Sequence, residues 1–121
     1  MATIDEFHNI AMEIGTVLVA EFIEGADKLL RLEVDFGTKL VTKEDGTQEE
    51  VKDVRQILSG IRACYSPEQL IGKQFPFVTN LEPRTMRGLV SHGMILAVKT
   101  EDGGAVLLHP DKTVSPGRPL S

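Results

Sequence analysis

Between Leu30 and Phe36 the sequence alternates without a break: Leu30, Leu32, Val34 and Phe36 are apolar, and Arg31, Glu33 and Asp35 are charged. Successive side chains of a strand point to opposite faces, so this segment is a strand with one face in a core and one toward water. A second alternation precedes it. Met12, Ile14, Thr16, Leu18, Ala20 and Phe22 fall on one face of a long strand, and Val17, Val19 and Ile23 on the other. Gly15 interrupts this strand and predicts a bulge or bend, as a small barrel needs to turn its corners. Glu24-Gly25-Ala26-Asp27 reads as the turn between the two.

The remaining elements are short. Thr3 and Glu6 fit a capping box and predict one short helix from Ile4 to Asn9. Residues 38–53 are polar, with a hairpin signal at Asp45-Gly46, and read as a solvent-exposed excursion, a β-ribbon without chemistry of its own. Val54 to Ile61 returns to strand composition. Ser66-Pro67-Glu68-Gln69 starts a second short helix that Gly72 stops. Phe75 to Thr79 is the next strand, with Pro76 placing it at an edge or a strand start. Met94–Val98 is expected to pair with Ala105–Leu108 across Glu101-Asp102-Gly103-Gly104, and the Pro-rich tail to be extended or irregular. Five or six strands, a helix between the third and fourth, and no βαβ alternation predict an all-β fold: a closed five-stranded Greek-key barrel of the OB type.

A chain of 121 residues is expected to form one domain, 1–121, with a single core. Its apolar runs are too short to span a membrane. The acidic N-terminus lacks the basic and apolar regions of a signal peptide. The single Cys64 has no internal partner for a disulfide, so a reducing, cytoplasmic location is expected. His8, His92 and His109 are scattered and fit no zinc spacing. Ser91 and His92 are adjacent, which in a strand sends them to opposite faces, and no nucleophile elbow or phosphate loop is present. No catalysis and no cofactor are expected.

Binding is the alternative. Between Val78 and Leu96 two apolar runs flank a loop carrying Asn80, Arg84, Arg87, Ser91 and His92 and ending at Met94. Net charge is −5, but unevenly spread: residues 1–50 hold twelve acids and four bases, residues 55–100 six bases and two acids. Charges are screened over about 8 Å at physiological salt, so a basic segment can attract phosphate locally within an acidic chain. Arg84 and Arg87 suit phosphates or base faces, Asn80 and Ser91 supply donors and acceptors, and Met94 is a polarizable apolar platform. With no Trp and one Tyr, extended stacking on single strands is not expected.

Read in order, Ala26-Asp27-Lys28-Leu29, Val34-Asp35-Phe36-Gly37, Arg55 through Ile61 (RQILSGI), Tyr65, Pro67-Glu68, Gly72-Lys73, Asn80-Leu81 with Pro83-Arg84, Met86 and Gly88, then Ser91 with Gly93-Met94, and Pro116-Gly117 form a recognisable set. Over nearly its whole length the chain resembles the tRNA-binding domains found at methionyl-tRNA synthetase C-termini, in a small structure-specific tRNA-binding protein and in a cytokine-like synthetase cofactor. The resemblance implies an OB-fold, tRNA recognition by shape and backbone, a homodimer paired through terminal segments, and assistance to an aminoacyl-tRNA synthetase in trans. By position it implies RNA-facing roles for Asn80, Arg84, Ser91 and Met94, with Lys28 and Arg55; Arg87 joins them on its charge.

The first strand departs from the family pattern. Ala11 stands where an acid is usual, Glu13 where an Arg is usual, and Thr16 where a Lys is common. Having fewer cations to meet phosphates lowers both affinity and its salt dependence, so binding on the order of micromolar is expected. Two rivals follow from the same residues: a polypeptide-binding module like the secretion chaperones of a related branch, and a structural dimerisation unit that docks on a synthetase.

Overall fold

The computed structural model describes residues 1–121. Helix α1, Ile4–His8, is a single turn closed by the expected capping box: the Glu6 amide donates to Thr3 Oγ1 at 3.1 Å, and the Thr3 amide donates to Glu6 Oε1 at 3.1 Å. Nine strands follow: β1 Met12–Ile23, β2 Ala26–Thr42, β3 Gln48–Ser59, β4 Gln74–Val78, β5 Arg84–Met86, β6 Leu89–Ser91, β7 Met94–Ile95, β8 Ala97–Lys99 and β9 Ala105–Leu107. The predicted second helix shortens to one 3-10 turn, Pro67–Gln69, between β3 and β4.

The fold is all-β and built on a five-stranded antiparallel sheet in the order β3-β2-β1-β4-β7. The alternation in β2 is realised as expected: Leu30, Leu32, Val34 and Phe36 are buried, while Arg31, Glu33 and Asp35 are half-buried. They join Val17, Ile57, Phe75, Phe77, Ile95 and Leu107 in one apolar core. Each such side chain contributes roughly 1.5–3 kcal/mol by leaving water. The predicted ribbon is present, because β2 and β3 stay paired from Thr38–Lys52 to Thr42–Gln48 around the Asp45-Gly46 turn.

Four details differ from the sequence-based expectation. The sheet is not ladder-closed. Gly93 lies against β3, where a Cβ would sit 3.0 Å from Ile57 Cδ1, and the last strands there are too short for a continuous ladder. The gap is bridged instead by the His92 amide on the Gln56 carbonyl, 2.9 Å, and the Leu58 amide on Ser91 Oγ, 3.0 Å. The predicted run Met94–Val98 is split: Met94–Ile95 joins β4, and only Ala97–Lys99 forms the hairpin with β9. Pro76 stands in mid-strand inside the sheet. Its β1 neighbour Ile14 directs its own amide and carbonyl to the C-terminal tail, to the Arg118 carbonyl at 2.9 Å and the Gly117 amide at 2.7 Å, so β1 asks no hydrogen bond of the proline.

The bulge in β1 lies at Leu18, between Val17 and Val19, and not at Gly15. It reverses the inward face, so Val17 and Ala20 both reach the core while Leu18 turns outward. Gly15 has a different reason: a Cβ there would meet Val34 Cγ1 at 2.4 Å and Phe36 Cε1 at 2.7 Å. Gly15→Ala is therefore an overpacking change in a filled core, and it is expected to destabilise by about 1–3 kcal/mol, read as a lower denaturation midpoint in urea.

Candidate nucleic-acid interface

The loop after β4 is tied down at both ends before it carries anything outward. At its start the Thr79 amide donates to the Ala11 carbonyl at 2.9 Å. Asn80 accepts the Ala11 amide at 2.9 Å and donates to the Asn9 carbonyl at 2.8 Å, so its side chain locks the loop to the segment after α1. Thr79 Oγ1 donates to Glu13, which places this departure from the family pattern at the root of the loop as a hydrogen-bond acceptor.

Arg55 joins the two ends. Its Nη1 donates to the Thr79 carbonyl at 2.6 Å and to the His92 carbonyl at 3.2 Å. Its Nε and Nη2 hold the Asp53 carboxylate at 2.9 and 3.1 Å, and the guanidinium lies 5.3 Å from the centre of the Phe36 ring. Asp53 is buried, and it ends the 38–53 segment, for which the sequence predicts an exposed ribbon without chemistry. The available signal was the Asp-x-Arg spacing, which puts both side chains on one face of a strand. A buried carboxylate needs such a partner, because desolvation without pairing costs several kcal/mol.

Between these anchors the chain forms a hairpin, β5–β6, where the sequence predicts a loop. Its tip is Arg87-Gly88, with φ of 52° and 78°. Positive φ at both tip positions is the two-residue turn that matches strand twist, and it is costly for a non-glycine residue such as Arg87. Gln56 Nε2 donates to the Val90 carbonyl at 2.8 Å and fixes the hairpin to β3. Ser91 is 3% exposed; it accepts the Leu58 amide and donates to the Gly93 carbonyl at 3.0 Å.

The predicted site residues therefore divide. Arg84, Arg87, Lys28 and Met94 are exposed, and the three cations make no intramolecular ion pair or side-chain hydrogen bond. Arg84 and Met94 share a cleft of about 240 Å³ with Glu82, Leu81, Met86, Ile95, Ser59 and Gly60. Lys28 stands at the start of β2, beside Gly60. Asn80, Ser91 and Arg55 are engaged in holding the loop. The carboxyls held below their ordinary range, Asp45 and Asp102, sit in hairpin turns, each lowered first by a threonine hydroxyl, Thr47 and Thr100. What the loop offers is a small, largely apolar cleft with Arg84 and Glu82 in its wall and Arg87 exposed at the hairpin tip, groups suited to phosphates and base or sugar faces.

Fold and loop define a small β binding domain, and comparison with known proteins supplies the family. Residues 12–119 match the family model described as "Putative tRNA binding domain". The chain is 45% identical over 118 residues to the methionine–tRNA ligase of Xylella fastidiosa (strain M23), covering 97% of this chain and 15% of that protein. It spans about 15% of the length of the curated relatives it matches. Among solved structures, the MetRS-related protein of Pyrococcus horikoshii aligns with a TM-score of 0.83 and 34% identity, over 100% of this chain and 98% of that one. The chaperone CsaA of Bacillus anthracis aligns with a TM-score of 0.80 and 33% identity, over 100% and 99%. The chain belongs to the tRNA-binding domain family.

Ser91→Ala removes the acceptor of the buried Leu58 amide. It is expected to destabilise the protein by about 1–3 kcal/mol, with the loss checked by chemical denaturation and local exposure of the Leu58 amide checked by hydrogen exchange.

Proposed function

We propose that this chain binds tRNA by shape and backbone at the cleft beneath the β5–β6 hairpin, and presents it in the cytoplasm to an aminoacyl-tRNA synthetase in trans. The observation that carries this reading is that Arg84, Arg87 and Lys28 are exposed without any internal partner in a chain whose other arginines near the core are engaged. In this reading Arg84, Arg87 and Lys28 meet phosphates, and Met94 packs against a sugar or base face. Asn80, Ser91 and Arg55 keep the loop in shape. Binding of this kind needs no base code, because phosphate and sugar contacts position an RNA without reading it. Filter binding of bulk tRNA at two salt concentrations tests it. The wild-type chain is expected to bind on the order of micromolar, and Arg84→Glu to lose about tenfold at low salt and to flatten the salt slope by about one, with unfolding unchanged. Absence of tRNA binding at low salt would overturn the reading.

The cleft also favours a second reading. Leu81, Met86, Met94 and Ile95 would accept apolar side chains of an unfolded polypeptide, the chemistry expected of a chaperone. Suppression of client aggregation without any shift of tRNA would replace the first reading with this one.

Pairing of two copies through the terminal segments accompanies the proposal. No residue of α1 is buried, and Phe7, Ile10, Met12, Pro119 and Leu120 line an apolar recess of about 390 Å³. Sedimentation equilibrium is expected to find a dimer and Phe7→Glu to shift it to monomer; a wild-type monomer at all concentrations tested would exclude the pairing.

A further inference from the structure

Phe22 is the most exposed phenylalanine of the chain, with 55% of its surface open, and it is absent from the core. It stands one residue before the end of β1, opposite Leu30, which is fully buried; the chain then turns at Gly25. A ring left in water is a cost that the fold does nothing to avoid. Instead the fold braces it. The Arg62 guanidinium lies 4.4 Å from the ring centre. Arg62 is itself fixed, since Nη1 donates to the Ala26 carbonyl at 3.1 Å and its amide to the Lys28 carbonyl at 3.4 Å. One face of Phe22 is thus backed by a cation attracted to the π-system of the ring.

The surroundings select the kind of ligand. Arg62 is committed to the ring and to the Ala26 carbonyl, and Glu21 is paired with Arg31 at 3.0 Å. The ring itself offers phosphate no donor, whereas its flat apolar face suits the face of a base. The brace is tied to the edge of the cleft: Arg62 follows two residues after Gly60, which lines the cleft, and its amide bonds the Lys28 carbonyl, 3.9 Å from where a Cβ on Gly60 would lie.

We infer that Phe22, backed by Arg62, is a stacking platform for an unpaired nucleobase of RNA whose backbone is held at the Arg84–Met94 cleft. The platform deepens the tRNA-binding reading and rests on it. The chain has no Trp, so Phe22→Trp installs a unique fluorophore at the site. Titration with bulk tRNA is expected to quench it. Phe22→Ala is expected to lower tRNA affinity roughly fivefold or more, with the salt slope unchanged because every cation that meets a phosphate is still in place. Phe22→Leu is expected to behave as Phe22→Ala, since bulk without a π-face does not stack. Thermal unfolding of the variants checks that the fold is intact. Wild-type affinity in Phe22→Ala, full rescue by Phe22→Leu, or an unquenched Trp would each overturn the platform while the tRNA reading stands. Failure of the wild-type chain to bind tRNA at low salt would overturn both.

Discussion

The ion pair between Asp53 and Arg55 is the interaction on which the shape of the candidate interface depends. Arg55 spends two donors on the carboxylate and the remaining bonds on the carbonyls of Thr79 and His92, the two ends of one excursion of the chain. A guanidinium can do this because its donors lie in one plane and point in fixed directions; an ammonium has no such fork. The pair sits against Phe36, at the end of the β2 core face, so the core and the loop are joined through one residue. Removing either partner strands a charge in a poorly hydrated place, which makes the clamp a unit and not two separate bonds.

The same division of labour runs through the other basic residues. Arg31 bridges Glu21 and Glu33, Arg62 backs Phe22, and Lys43 reaches Glu49 along the ribbon at 3.4 Å. Exposed pairs such as the last contribute little to stability. Arg31 and Lys43 neutralise acids of the sheet and ribbon, while Arg84, Arg87 and Lys28 are among the cations left without an ion pair. An acidic chain can in this way carry exposed cations that act locally, because charges beyond a Debye length are screened.

Close packing of backbone on backbone sets the rest. Gly117, with φ of 88°, has its Cα so near the Phe36 carbonyl that a Cβ would fall 2.0 Å from that oxygen, and this approach holds the C-terminal tail along β1. Gly93 is also tightly packed: a Cβ there would lie 3.0 Å from the Ile57 side chain of β3 and 3.1 Å from the Val78 carbonyl of β4. The tail and the hairpin thereby cover sheet edges that would otherwise present unpaired amides and carbonyls.

Much of this was written locally. The period-two alternation of β2, the capping box at Thr3, the ribbon turn at Asp45-Gly46 and the family motifs each depend on neighbours in sequence, and they determined the all-β class and the family. The face of β1 that turns inward was not legible, because both faces are apolar and only the fit of Gly15 against Val34 and Phe36 and the bulge at Leu18 decide it. The β5–β6 hairpin was not legible either, since strands of three residues leave almost no periodic signal. Sequence placed Asn80, Arg84, Arg87, Ser91, Met94, Lys28 and Arg55 together as candidates. Only the tertiary structure separated the exposed cations and Met94 from Asn80, Ser91 and Arg55, because that depends on partners at Ala11, Leu58, Thr79 and His92, most of them far along the chain, brought near by the core.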